Sequence, residues 1–233
     1  MSTFHFKEFS VNQLNASMKV GTDAMLLGAL IDASGKNTAL DIGTGTGVLS
    51  LMVAQKNPLL QIEAVDIDKV NVELASTNFQ SSRFSSSLKA IHADFLEYSS
   101  ITKFDLIFTN PPYYEDGLLN PDDRKANARH EQSLPIEKLI DKSISLLKDN
   151  GDFWIIMPSI NKDKWISFSE RKGLFLKRLH LIEGKKSVLN RVVLNFNFHS
   201  GNIIEETITI RDSENNYTDQ YKALTKDYHG VKL

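Results

Sequence analysis

The chain has 233 residues, 27 Lys plus Arg against 29 Asp plus Glu, a net charge of −2 and 41% hydrophobic residues. This describes one generous domain, or one domain with a small appendage, with material for a sizeable core. The near-neutral charge excludes a histone-like polycation, and the absence of cysteine excludes a disulfide scaffold, a cysteine zinc site, an iron–sulfur cluster and a thiol nucleophile.

The N-terminus has no basic region ahead of an apolar core, so no signal peptide is expected. The longest stretch without a charge, Ile42–Gln55, is broken by glycines and too short to span a bilayer. A soluble cytosolic protein is the expectation. Residues 1–37 read as a small cap before the first core strand. Thr38–Ile42 reads as a buried strand, followed by a glycine loop and a helix over Val48–Gln55. Gln61–Asp66 is the second strand, and Asp68–Phe79 a helix with Asp68 near its N-cap. The serine-rich Ser81–Ser87 reads as a loop. Leu88–His92 and Phe104–Thr109 are further strands, and residues 110–134 a long polar connection of the kind that carries function. Pro135–Leu147 has apolar residues at helical spacing. Asp152–Met157 reads as strand and Lys162–Lys172 as helix; Phe175–Ile182, Arg191–His199 and Glu206–Ile210 read as late strands. This alternation predicts an α/β, doubly wound, parallel sheet with helices on both faces.

The run Asp41-Ile42-Gly43-Thr44-Gly45-Thr46-Gly47 closes the first strand and opens a helix. Its spacing is G-x-G-x-G, not the dinucleotide fingerprint, and no phosphate-binding lysine follows. Glycines permit a sharp turn and a close approach of ligand to backbone; a tight turn with close helix packing would use them equally. Asp66, ending the second strand, can accept two hydrogen bonds from a ribose diol. Asp94 and Phe95, past the third strand, are placed to meet an adenine amine and the face of its ring. An isolated Asp there is more often a turn or helix cap. The combination points to a nucleoside ligand.

Asn110-Pro111-Pro112-Tyr113 follows the fourth strand. The prolines stiffen the backbone, so that the Asn110 side-chain oxygen and the Pro111 carbonyl can both face outward as acceptors. Such a pair suits a planar, conjugated amine: accepting both N–H bonds draws the nitrogen lone pair toward an electrophile. Tyr113 offers a stacking face. The bland alternative is a proline-stiffened turn.

Together, these residues resemble the motifs of the class I S-adenosylmethionine-dependent amino methyltransferases over roughly residues 38 to 157. The resemblance implies a mostly parallel seven-stranded sheet whose last strand is antiparallel. It makes S-adenosylmethionine the cofactor and Asn110, Pro111, Pro112 and Tyr113 the catalytic motif. The flanks are similar to the bacterial tRNA1(Val) (adenine(37)-N(6))-methyltransferase family over essentially the whole chain. They carry the F-x-F-K-x-F pattern of Phe4–Phe9, the run Met18–Ala29, and Ala128-Arg129-His130-Glu131. This implies a methyltransferase domain over 38–233, a cap of residues 1–37 over the cofactor site, and methylation of an adenine beside a tRNA anticodon. The implied cofactor-binding set is Lys19, Val20, Thr22, Asp41, Gly43, Thr44, Gly45, Gly47, Asp66, Ile67, Asp94, Phe95 and Asn110. Read without the resemblance, residues 18–29 are an apolar capping helix begun by Thr22 or Asp23.

Residues 162–191 hold nine basic and three acidic side chains, a surplus of six. Lys185, Lys186 and Arg191, with Arg124, Lys125 and Arg129 of the long connection, could form a phosphate-binding rim. The six histidines show no metal-ligand spacing, and no G-x-S-x-G elbow supports hydrolysis. The alternatives are a protein-glutamine N-methyltransferase or another N-P-P-Y enzyme acting on a different nucleic acid, a non-catalytic nucleotide-binding module, and a nicotinamide dehydrogenase. The glutamine enzymes usually carry a substantial helical domain before the glycine loop. The last two would have no use for Asn110–Tyr113.

Overall fold

The computed structural model describes residues 3–111 and 135–229. Two short strands, β1 (Thr3–His5) and β2 (Ser10–Asn12), form an antiparallel hairpin, followed by α1 (Thr22–Leu30). The core then alternates as β3 (Thr38–Ile42), α2 (Val48–Lys56), β4 (Gln61–Asp66), α3 (Lys69–Gln80), β5 (Leu88–His92) and β6 (Phe104–Thr109). After the long connection come α4 (Ile136–Leu146), β7 (Leu147–Pro158), α5 (Lys162–Arg171), β8 (Phe175–Lys185), β9 (Val188–Asn197), β10 (Ile204–Arg211) and α6 (Asp219–Thr225).

One eight-stranded sheet has the order β10-β8-β9-β7-β6-β3-β4-β5. Strand β9 runs antiparallel to both β7 and β8, and all other pairings are parallel. The seven-stranded sheet implied by the sequence is present from β5 to β8, with β9 as its antiparallel member. β10 adds an eighth strand beside β8. Strand β7 starts earlier than its apolar run: Leu147 lies opposite Phe104 and regular pairing resumes at Asp152 opposite Leu106. A register irregularity absorbs the polar residues between them.

Each central strand is buried on both faces, which is why it reads as continuously apolar rather than alternating. Leu106, Phe108, Trp154 and Ile156 join the core under α1, α2 and α3. Their neighbours Ile107, Phe153, Ile155 and Met157 join a second core under α4 and α5. Helix α2 is buried along most of its length, because α1 covers the side turned away from the sheet.

The N-terminal segment shares this first core. Phe6, Phe9 and Val11 are buried in it, and Phe6 stacks on Phe9 at 4.4 Å. The C-terminus straps the same region: the Lys7 amide donates to the Tyr228 carbonyl at 3.1 Å and the Tyr228 hydroxyl to the Met52 carbonyl at 3.3 Å. The hairpin and α6 escaped the sequence reading. The first is only three residues per strand, and the second is mostly polar, held by its Thr218 cap on the Tyr221 amide.

Among the described residues no helix is long and apolar enough to cross a membrane, and no group of three or more His, Cys, Asp or Glu could hold a metal ion.

Candidate active site

Parallel pairing brings the carboxyl ends of β3, β4, β5 and β6 to one edge. Ile42 lies beside Val65 and Thr109, and Asp66 beside His92. The loops leaving these four strands therefore face one crevice.

The loop after β3 turns on three left-handed glycines: Gly43 at φ 70°, Gly45 at 55° and Gly47 at 80°. A side chain there would be strained. The glycines have two different surroundings. A Cβ on Gly43 or Gly45 would meet nothing within 4 Å, so those backbone positions face open space. A Cβ on Gly47 would sit 2.4 Å from the Phe79 ring, so Gly47 lets α2 and α3 pack closely. The loop is pinned from beneath. Thr44 and Ser50 hydroxyls donate to one oxygen of Asp41 at 2.8 and 2.7 Å, while its other oxygen is buried without a partner among the described residues. Loss of hydration raises the Asp41 carboxyl to about 6, against the pull of those two hydroxyls.

Asp66 is buried, and its carboxylate ties the crevice together. It accepts from the Gly45 amide at 2.8 Å and from the Asp68 amide at 2.9 Å. Asn71 donates to both its oxygens at 3.3 Å. Ser17 in turn donates to the Asn71 oxygen at 3.1 Å, so hydrogen bonds run from the N-terminal segment through Asn71 and Asp66 to the glycine loop. A second link runs through Asn78, which accepts from the Asn12 amide at 2.8 Å and donates to the Asn12 and Thr46 carbonyls at 2.9 and 2.8 Å. Asn71 and Asn78 were absent from the sequence reading. Their one signal is that polar amides recur seven residues apart on a helix beginning just after Asp66.

Of the N-terminal residues read as cofactor-binding, Lys19 and Thr22 are exposed and Val20 is half-buried. The Val20 amide donates to the Gln13 side chain at 2.9 Å. Gly21, not Thr22 or Asp23, is the N-cap of α1. Ile67 is exposed at the end of β4, with its carbonyl 3.0 Å from His92 Nε2. Asp94, two residues past β5, is exposed and accepts from the Leu96 amide at 2.8 Å, so it caps a turn. Phe95 is buried in the second core with Ile42 and Val65.

On β6, the Thr109 hydroxyl donates to the Ile42 carbonyl at 2.8 Å. This bond locks the exit of β6 to the start of the glycine loop. Asn110 and Pro111 follow, both half-buried. Pro112, Tyr113, Arg124, Lys125 and Arg129 lie outside the described residues.

Comparison with known proteins fits this arrangement. Residues 15–165 match the family model described as the methyltransferase small domain. The chain is 37% identical over 231 residues, 98% of its length and 99% of the relative's, to a tRNA1(Val) (adenine(37)-N6)-methyltransferase of Flavobacteriaceae bacterium strain 3519-10. A protein of the same name from Bacteroides thetaiotaomicron is 37% identical, covering 97% of this chain and 96% of its own. The chain belongs to the tRNA1(Val) (adenine(37)-N6)-methyltransferase family. Its fold is shared more widely. A predicted O-methyltransferase of Agrobacterium tumefaciens superposes with a TM-score of 0.69 at 16% identity, covering 88% of this chain and 96% of its own. A ribosomal protein L11 methylase of Lactobacillus delbrueckii does so with 0.57 at 16%, covering 80% and 83%.

The basic stretch of this family member divides between two edges. Helix α5 crosses the sheet, so Arg171, Lys172, Lys177 and Arg178 lie toward the amino ends of the strands, away from the crevice. Lys162, Lys164, Lys185, Lys186 and Arg191 lie at the carboxyl ends. Arg191 there pairs with Asp23 of α1 at 3.0 Å and Lys162 with Asp163 at 3.6 Å. Lys164, Lys185 and Lys186 are exposed, with no ion-pair partner among the described residues.

Proposed function

We propose that the chain methylates the exocyclic N6 amine of an adenine in tRNA, adenine 37 of tRNA1(Val), with S-adenosylmethionine as cofactor. The observation that carries this reading is Asn110: a polar acceptor at the end of β6, on the same edge as an open glycine loop and two strand-end acids. The crevice suits a nucleoside. Gly43 and Gly45 leave open ground in front of the loop, and the Asp66 carboxylate stands beside it with its loop-facing oxygen already oriented by the Gly45 amide.

When bound, S-adenosylmethionine supplies an electrophilic methyl on a sulfonium. Asp66 would hold the ribose hydroxyls, Asp94 and Ile67 would border the adenine, and the glycine loop would hold the rest of the cofactor. Phe95 supports the adenine wall from within the core. Residues 1–37 cap this half of the crevice, with Lys19, Val20 and Thr22 over the cofactor. Their hydrogen bonds through Asn71 and Asn78 favour that role.

Asn110 Oδ1 and the Pro111 carbonyl accept the two N–H bonds of the target amine and hold its lone pair in line with the methyl. Acceptors placed where positive charge develops stabilise the transition state more than the ground state. As the nitrogen takes the methyl, the sulfonium S–C bond would break to leave the thioether S-adenosylhomocysteine, and the amine proton, made acidic, would pass to solvent, so a strong base is not needed. Pro112 stiffens the motif and Tyr113 stacks on the base. Lys185 and Lys186, with Arg124, Lys125 and Arg129, contact RNA phosphates; Arg191 joins them only by leaving Asp23. An anticodon-loop base is already unpaired, so turning it into the crevice costs less than extruding one from a duplex. This activity belongs in the cytoplasm, where tRNA is modified.

The test is transfer of labelled methyl from S-adenosylmethionine to total tRNA from a strain lacking the gene, followed by nucleoside mass spectrometry. N6-methyladenosine in a single tRNA species is expected. Cofactor binding without methyl transfer to tRNA would overturn the reading.

A further inference from the structure

Beyond Asn110 the carboxyl edge continues along β7, β9 and β8. Thr109 lies opposite Ile155, and β7 runs three residues further to Pro158, about 10 Å at 3.3 Å per residue. It ends in a turn, Ser159–Asn161. The β8–β9 hairpin rises beside it, with Arg191 opposite Pro158 and Val188 opposite Lys185. The Ser159 hydroxyl donates to the Leu189 carbonyl at 3.2 Å and joins turn to hairpin.

This raised shelf carries three large apolar side chains in solvent: Ile160 at 89% exposure, Val188 at 51% and Leu189 at 41%. Singly they would need no explanation. Here the Ser159 bond brings the segment carrying Ile160 against the one carrying Leu189, near Lys185 and Lys186 at the carboxyl edge, while Val188, the preceding residue of the strand, turns to the other face. Packing does not require them. Pro158 below is buried, and the hairpin is held by its own ladder.

We propose that Ile160 and Leu189 form a ledge that receives a nucleobase flanking the target adenine, while Lys185 and Lys186 hold the adjoining phosphates. The proposal rests on the tRNA reading above and assigns the ledge a separate task within it. A single-stranded loop offers alternating charged backbone and apolar base faces, which match a surface that carries ammonium and aliphatic groups within a few residues. A neutral apolar partner would leave the lysines opposed to nothing. A duplex would present its phosphates and keep its base faces stacked. The ledge would thereby select an open loop and fix its register before the adenine enters the crevice.

Apolar and ionic contacts respond differently to salt, which makes the ledge testable apart from the lysines. Steady-state methylation of unmodified tRNA should be measured across a salt series for Ile160→Ser combined with Leu189→Ser. The expected result is an apparent KM for tRNA raised about 10-fold, the loss of roughly one base contact. The salt slope, kcat and affinity for S-adenosylhomocysteine should be unchanged. Ile160→Phe, which offers a flat ring, should keep the wild-type KM or lower it. An unchanged KM in the serine variant would remove the ledge from the RNA path. A KM that rises together with loss of S-adenosylhomocysteine binding would mark these residues as support for the cofactor half instead. Sedimentation of the wild type as a dimer and of the serine variant as a monomer would assign the ledge to a second copy of the chain. If the wild type itself transfers no methyl to tRNA, the tRNA reading falls first and the ledge loses its occupant with it.

Discussion

The two halves of the carboxyl edge are built differently. The half formed by β3, β4 and β5 is braced from within: beside three left-handed glycines, two buried acids and two buried asparagines tie the glycine loop to α2, α3 and the N-terminal segment. The half formed by β7, β9 and β8 ends in an exposed turn and hairpin whose lysines and aliphatic side chains reach into solvent. A small, constant ligand rewards preorganisation, because groups already in place lose little entropy on binding. A large polyanion is caught by exposed charge and apolar area, and its affinity depends on salt. Asn110 stands at the seam between the halves, tied to the braced side through Thr109. The contrast predicts that substitutions in the braced half act on cofactor affinity and stability, those in the open half on RNA affinity, and those at the seam on the chemical step.

The largest effect is expected at the seam. Asn110→Ala removes an acceptor whose interaction grows as the amine gains positive charge. By analogy with deleting one oxyanion-hole donor, kcat should fall about 100- to 1,000-fold, with the fold and S-adenosylhomocysteine affinity preserved. Asn110→Asp should be milder, because a carboxylate still accepts the hydrogen bond. Single-turnover methylation by the alanine variant at near the wild-type rate would remove the seam from the comparison.

The braced half has a stability signature. Burial holds the Asp41 carboxyl near 6, above the usual 3.9 of an unfolded chain. Between those values the folded chain keeps a proton that the unfolded chain has released. Stability from this group therefore falls as pH rises from about 4 to 6, by on the order of 3 kcal/mol. Asp41→Asn has no proton to lose, so the stability difference, wild type minus variant, should decrease across that window. Urea midpoints that keep a constant difference would show that Asp41 does not titrate there.

Asp66→Ala probes the same half through its ligand. It removes the proposed acceptor for the ribose and leaves Asn71 and the Gly45 amide without their shared partner. Affinity for S-adenosylhomocysteine should weaken by about 1–3 kcal/mol, read by calorimetry. Unchanged affinity would show that bracing and binding are separate in this half.

The same contrast decided what the sequence could show. Thr38–Ile42 and Phe104–Thr109 were legible as strands because a strand covered on both faces must be apolar throughout. Gly43, Gly45 and Gly47 were legible because their backbone angles exclude most other residues. Asn71 and Asn78 were not, since a helical asparagine is usually solvated and only the fold shows these two meeting Asp66 and Thr46. The charge surplus of residues 162–191 was counted correctly, but a linear count cannot see that α5 carries part of it to the far edge. Nor could it see that Asp23, far away in the chain, takes up Arg191.

The smallest effect is expected from the open half. Lys185→Glu with Lys186→Glu reverses two exposed charges at the hairpin tip, where neither side chain has an ion-pair partner among the described residues to lose. Stability and cofactor affinity should therefore stay within error, as for most surface substitutions. What changes is the counterion balance. Each lysine that neutralises a phosphate releases about 0.7 counterion from single-stranded RNA, so losing both contacts should flatten the plot of log KM against log salt by roughly 1.4. At moderate ionic strength that amounts to a rise of about 3- to 10-fold in KM for tRNA, and much less at high salt. The slope decides the matter more cleanly than the rise, because a misfolded hairpin would raise KM at every salt concentration alike. An unaltered slope would place the phosphates elsewhere, over Arg124–Arg129, and would leave the hairpin to the apolar contact of Leu189 alone.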